Sequence, residues 1–195
     1  EALLRRIAAQ AGQCGVTIRE EAANRLLLNT GADLQQIAAE LDKCCLYVGD
    51  GGEITEDIVE QLVPRTVEQN VFVLIDEIVR RQYDRAMAVF YDLLRQREEP
   101  IKITALIARQ FRLILQVGSL GRRGIPEKQI ASRIGAHPYA VKLAYEQSRH
   151  YQEAELAKIL DDLAELDYRM KTGRTDKAGG LELFLLGLAA RRKGA

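Results

Sequence analysis

Apolar residues recur at spacings of three and four along almost the whole chain, the period of an α-helix with one buried face. Over 34–48 the repeat is Leu34, Ile37, Leu41, Cys44 or Cys45, and Val48. Over 153–171 it is Leu156, Ile159, Leu160, Leu163, Leu166 and Met170. No run alternates convincingly with the period of two that a half-buried strand requires. The pattern predicts an all-α fold.

Helix boundaries come from local chemistry. Residues 2–14 read as a first helix. Thr17 and Glu20 have the spacing of a capping box, which predicts that Thr17 opens a second helix running to Thr30. Gly31 stands where a helix C-terminus favours glycine. Asp33, with Gln36 at the box position, caps a third helix, and residues 49–53 form a turn. Thr55 caps a short helix with an acidic first turn, ending at Pro64. Beyond it lies a second helical block, with elements expected at 70–81, 83–97, 100–122, 126–135, 138–150, 153–171 and 178–193. Three of these begin at Pro100, Pro126 and Pro138, a residue preset for a first helical turn. The stretch Leu181 to Leu188 is apolar on nearly every side, the mark of a helix buried in a core or an interface.

Composition agrees with a folded helical protein: 47% of residues are apolar, 29% are charged, and there is no Trp. No stretch approaches the roughly 18–20 apolar residues needed to cross a bilayer. The first residues carry no signal-peptide pattern, and a cytoplasmic, non-membrane protein is expected. Glu1 opens inside a helical period with no Met before it, so the chain reads as part of a longer protein. The cysteines, Cys14, Cys44 and Cys45, are odd in number and fit neither a disulfide framework nor zinc-ligand spacing. Buried free thiols are the expectation. The 28 basic and 28 acidic residues cancel overall but are unevenly placed. Residues 1–66 hold six Lys/Arg against eleven Asp/Glu, a net of −5, and residues 67–195 have a net of +5. The reversal beside Pro64 suggests a domain boundary.

Few residues invite catalysis. The glycine-rich Asp50–Glu53 turn has no Lys-Ser or Lys-Thr after a Gly-x-x-x-x-Gly frame, so it is not a Walker A loop. Asp161, Asp162 and Glu165 lie on the polar face of a helix, where a solvated surface accounts for them better than acid–base catalysis. His137 and His150 have no nucleophile partner in a known motif. No catalytic, metal or cofactor residue is assigned. Two segments invite binding. Residues 129–141 place Ala131, Gly135 and Val141 at helix-turn-helix spacing. Their recognition positions, however, hold Ala136, His137, Pro138 and Tyr139 rather than side chains that read base edges. The second segment, Met170 to Arg174, closes a long helix with Lys171 and Arg174, which either cap the helix or present two cations to phosphate.

Several phrases resemble the delta subunit of the bacterial DNA polymerase III clamp loader. They are Thr30-Gly-Ala-Asp-Leu34 leading into Glu40-Leu-Asp-Lys43; Val71 to Asp76; Ala108-Arg-Gln-Phe-Arg112; Ile130-Ala through His137-Pro138; and Asp167 through Lys171-Thr-Gly-Arg174, then Leu181-Glu-Leu183. Their order and spacing run across essentially the whole chain. The resemblance implies an AAA+-type lid domain at 1–66 and a helical collar domain at 67–195, without the N-terminal domain that grips the sliding clamp. It implies a non-catalytic subunit of the polymerase holoenzyme. The collar would assemble side by side with those of other loader subunits, with primer–template DNA in the assembled complex. Leu181, Leu185 and Leu188 become candidates for the partner interface, and Lys171 and Arg174 for DNA proximity. The alternative is a helix-turn-helix regulator using residues 129–141. Where active relatives carry Gly-Ser-Leu-Arg, supplying an arginine to nucleotide phosphates, this chain has Gly31-Ala-Asp-Leu34 and then Gln35.

With a neutral amide at Gln35 and no phosphate loop, the chain is expected neither to bind nor to hydrolyse ATP. Isothermal titration calorimetry checks this, and micromolar affinity would refute it.

Overall fold

The computed structural model describes residues 2–31 and 33–193, apart from the side chains of 191–193. Two compact units divide between Gln69 and Asn70. The first contains α1 (Ala2–Gln13), α2 (Glu20–Thr30), α3 (Leu34–Val48) and α4 (Glu56–Leu62), with two-residue strands β1 (Thr17–Ile18) and β2 (Glu53–Ile54) between them. Its core is Ile7 and Ala11 of α1, Leu26 of α2, Leu41 and Cys44 of α3, Ile54, and Val59 of α4.

The strands correct the sequence reading at one place. Thr17 does not open α2; it lies in β1, parallel to β2, in the register Thr17 to Glu53 and Ile18 to Ile54. The Thr17 N–H donates to the Gly52 carbonyl at 3.0 Å and the Arg19 N–H to the Ile54 carbonyl at 3.2 Å. The backbone that a capping box would have used is thus committed to β2. The helix begins at Glu20 with Arg19 as an N-cap that makes no side-chain bond. Asp33 does cap α3, its carboxylate accepting from the N–H groups of Gln35 and Gln36 at 2.9 and 3.2 Å. Thr55 occupies the N-cap of α4 but its side chain makes no capping bond. The glycine-rich turn is a structural staple. The Gly51 N–H donates to the Gly15 carbonyl at 2.9 Å, and a Cβ on Gly52 would sit 2.8 Å from Val48.

A half-buried arginine and a buried asparagine tie α2 to α4 and to the segment after α4. Arg25 reaches Glu56 at 2.5 Å and Glu60 at 3.1 Å on α4. Asn29, fully buried, donates from its side-chain amide to the Val63 carbonyl at 3.4 Å. Its backbone carbonyl accepts from the Thr66 N–H at 3.1 Å. The chain leaving α4 is therefore pinned on both sides of Pro64 and Arg65.

The second unit is built around α7 (Pro100–Arg122), whose bounds match the sequence expectation. α5 (Val67–Val79), which begins three residues ahead of the division, α6 (Tyr83–Arg95), α8 (Glu127–Ile134), α9 (Pro138–Ser148), α10 (Glu153–Lys171) and α11 (Lys177–Lys193) complete it. Ile103, Ile107, Phe111, Ile114 and Val117 form the buried stripe of α7. Leu156, Ile159, Leu163 and Met170 of α10 are buried as well, and α8, α9, α10 and α11 all pack against α7. Phe111 meets the edge of Tyr151 at 5.8 Å. Two glycines let α9 approach closely: a Cβ on Gly118 would lie 2.9 Å from Ser148, and one on Gly121 would lie 2.3 Å from the Tyr145 ring. Buried Gln147 joins three helices, donating to Asp76 of α5 at 3.2 Å and accepting from Gln110 of α7 at 3.1 Å.

All three thiols are free, Cys14 half-buried and the other two buried. Burial raises the Cys44 pKa. Burial, reinforced by a hydrogen bond with Cys14, pushes Cys45 up to about 12. Only the thiolate is nucleophilic, so the raised pKa keeps Cys45 almost wholly in the unreactive thiol form at about pH 8. Treatment of the native protein with a colorimetric disulfide reagent should label Cys14 first. Cys44 and Cys45 should react only on unfolding in denaturant, and prompt labelling of all three without denaturant would contradict this account.

Candidate functional site

The end of α10 shows what Lys171 and Arg174 do within the chain. The helix closes in a Schellman arrangement: the Arg174 N–H reaches the Arg169 carbonyl at 2.8 Å, and the Gly173 N–H reaches that of Met170 at 3.3 Å. This closure requires the left-handed conformation of Gly173, φ +70°. Lys171 pairs with Asp167 one turn back at 2.6 Å. The Arg174 guanidinium lies 5.3 Å from the centroid of the Tyr168 ring. Both cations are exposed, as is Tyr168. Their local contacts are of the weak, solvent-screened kind, worth about 0.2–1 kcal/mol for an exposed pair. Both groups therefore remain able to exchange these partners for phosphate.

The three leucines expected at a partner interface lie elsewhere than the sequence suggests. Leu181, Leu185 and Leu188 are 0, 1 and 4% exposed and line the unit's own core. Spaced by four and three, they occupy the face of α11 directed inward. The outward apolar residues are Leu183, 71% exposed, and Leu186, 44% exposed. Tyr91 on α6, also exposed, reaches the same helix, its hydroxyl donating to Glu182 at 2.5 Å. Sequence reading misses this patch because Leu181 to Leu188 is apolar on nearly every side, so its period does not reveal which side faces in. The amphipathic pattern of α6, with Ala86, Phe90 and Leu93 buried, marks Tyr91 as the residue off the core face.

Residues 129–141 form a helix pair used for packing. Ala131 and Val141 are buried, and Gly135 makes the turn between α8 and α9. His137 is consumed as the N-cap of α9, its Nδ1 accepting from the Tyr139 N–H at 3.3 Å. Burial lowers its pKa and favours the neutral ring that this acceptor role needs. The first turn of α9 thus offers no base-reading side chain, and the helix-turn-helix regulator has no support.

The stretch 102–149 carries nine Lys/Arg against two Asp/Glu. Several of these cations are exposed, including Arg109 and Arg112 on α7, Lys128 on α8 and Lys142 on α9. Among the described residues no group of three or more His, Cys, Asp or Glu could hold a metal ion. None of the described helices is long and apolar enough to cross a membrane. Gln35 and the Asp50–Glu53 turn lie in the first unit, the amide adjacent to the Asp33 cap.

Comparison with known proteins bears on these surfaces. Residues 68–188 match the family model described as DNA polymerase III delta subunit, C-terminal domain. The chain is 50% identical over 177 residues to the DNA polymerase III subunit delta of Bacillus subtilis, an alignment covering 91% of this chain and 51% of that protein. The chain therefore spans about half the length of the curated relative it matches. The solved structure of the Bacillus subtilis DNA clamp loader delta protein superposes with a TM-score of 0.82 at 47% identity, covering 97% of this chain and 56% of that one. An all-helical core of this order, matched at half of its positions over nearly its whole length, places the chain in the DNA polymerase III delta subunit family.

Proposed function

We propose that the chain is a non-catalytic, architectural part of a cytoplasmic DNA replication clamp loader. Its first unit, about residues 1–66, serves as the AAA+-type lid, and residues 67–195 as the collar that assembles with the collars of other loader subunits. The complex so formed helps to place the sliding clamp on primed DNA. Clamp contact belongs to the N-terminal domain of family members and is assigned to no residue of this chain.

The observation that carries the reading is the pair of leucines facing outward on α11, Leu183 and Leu186. Large apolar side chains on an otherwise well-packed helix are what an interface of roughly 800 Å² per partner needs at its centre. The inward leucines contribute indirectly by holding α11 in place. Similarity to a clamp loader delta protein supports partners of the same helical kind.

Leu183→Asp with Leu186→Asp should abolish co-elution with the other loader subunits in size exclusion while leaving circular dichroism unchanged, since both sites are exposed. Leu185→Asp should instead unfold the collar unit, because it buries an unpaired charge. Retained co-elution of the double variant would overturn the interface assignment. For DNA, we place Lys171 and Arg174 beside the primer–template backbone in the assembled loader, reading phosphate rather than sequence. Replacing both by Ala should then lower the salt slope of loader–DNA binding by about 1–2 units. An unchanged slope with a reduced melting temperature would assign them to the helix cap alone.

A further inference from the structure

The corner where α7, α8 and α9 meet contains an open groove of about 500 Å³. Gly121, Gly124, Ile125, Pro126, Lys128 and Tyr145 line it, with Glu127 as the one carboxylate among its lining residues. Its floor is shaped by a missing side chain. Any Cβ at Gly121 would collide with the Tyr145 ring, so glycine there lets the ring lie flush against α7. Along α9, Lys142, Tyr145 and Arg149 recur at spacings of three and four and so share one face. The Arg149 guanidinium stands over Tyr145 at 5.1 Å from its centroid. On the opposite wall Arg123 ends α7 and Lys128 lies in the first turn of α8.

Most of the cations beside this groove are not ion-paired among the described residues. Arg122, one residue before Arg123, is paired with Glu153 at 2.7 Å. Arg123, Lys128 and Lys142, by contrast, are exposed and make no ion pair among the described residues. Arg149 is engaged only with an aromatic ring. Lys128 thus lines an open space beside which Arg123, Lys142 and Arg149 stand, with an aromatic–guanidinium stack on one wall; the carboxylates nearby are Glu127 in the lining and Glu146 on α9. A row of unpaired cations attracts a polyanion, and a stack of flat groups offers a surface for bases. A stacked aromatic–guanidinium pair favours an unpaired base, whose face is free, over a duplex, whose bases are already stacked on one another.

From this arrangement we infer that the α7–α8–α9 groove binds single-stranded nucleic acid, Lys128 and Lys142 gripping successive phosphates from opposite walls while the Tyr145–Arg149 stack supports a base. This rests on the loader reading for its biological strand, the unpaired template beyond the primer. It is distinct from the Lys171–Arg174 corner and needs no base-specific contact. Binding should be insensitive to sequence and strongly dependent on salt.

The test titrates the 195-residue chain against a fluorescent oligothymidylate by anisotropy at several salt concentrations. Lys128→Glu with Lys142→Glu should weaken binding by at least about tenfold and reduce the salt slope by about 1.4, two contacts at about 0.7 each on a single strand. Both positions are exposed, so circular dichroism should be unchanged. Lys128→Arg with Lys142→Arg should bind as the parent does. Absence of binding by the parent chain, or equal binding by the glutamate variant, would overturn the inference. So would loss of co-elution with loader subunits at unchanged oligonucleotide affinity, which would make the groove a protein interface. If the parent chain binds the oligonucleotide through these lysines yet never co-elutes with loader subunits, the loader reading fails and the groove stands.

Discussion

The second unit depends on the burial of α7. A 23-residue helix can be covered along its length only if its neighbours come close on several sides at once. Five large apolar side chains, from Ile103 to Val117, provide the driving force, each worth about 1.5–3 kcal/mol when fully buried. Gly118 and Gly121 provide the room. Glycine within a helix costs roughly 1 kcal/mol relative to Ala, and two of them one turn apart look wasteful on α7 alone. They make sense once Ser148 and Tyr145 of α9 are seen occupying the space their side chains would have taken. The same close approach positions buried Gln147 to bridge α5 and α7, so a polar link that would be costly if unmet is satisfied at both ends.

The first unit solves a different problem. Its four helices are short, and helices of 7–15 residues hold together poorly without cross-links between their connections. The loops supply these. β1 and β2 pair over only two residues, yet they join the segment before α2 to the segment before α4. Arg25 then fastens those same two helices through Glu56 and Glu60. A turn that looks in sequence like a degenerate phosphate loop is accounted for by this tie. Its glycines are there for backbone proximity, with Gly51 bonded to Gly15 and Gly52 pressed on Val48.

The legibility of this fold in its sequence divides along a physical line. Helices with one apolar face and clear end signals, such as α7, α10 and the Asp33-capped α3, are legible to within a residue or two because local propensity and burial point the same way. Thr17 misleads because its capping signal is local whereas its strand partner, Glu53, is remote in sequence. A two-residue pairing leaves no periodicity to detect. Within the candidate surfaces, the cations are visible in sequence but their engagement is not. Nor can the sequence tell which leucines of α11 face inward: with apolar residues on nearly every side, only the packing against α7 and α10 fixes the helix rotation. Family resemblance supplies what periodicity cannot, namely the family to which such a chain belongs.

Engagement separates the two basic surfaces of the second unit. At the end of α10, each cation already has a partner, Asp167 for Lys171 and Tyr168 for Arg174. A phosphate arriving there must displace contacts worth about a few tenths of a kcal/mol each, and it finds a rigid cap whose geometry the Schellman bonds set. At the α7–α9 corner the lysines make no ion pair among the described residues, but their flexible stems lose more rotamer freedom on gripping a ligand. The first surface is preorganised and modestly self-neutralised; the second keeps more of its charge available to a ligand. Screening acts more severely on the second, since exposed charges separated by more than about 8–10 Å hardly sense one another at physiological salt. At physiological salt a strand would therefore meet both surfaces at close range, the corner offering more uncommitted charge and the cap of α10 a preset geometry, and lowering the salt should favour the corner more than the cap.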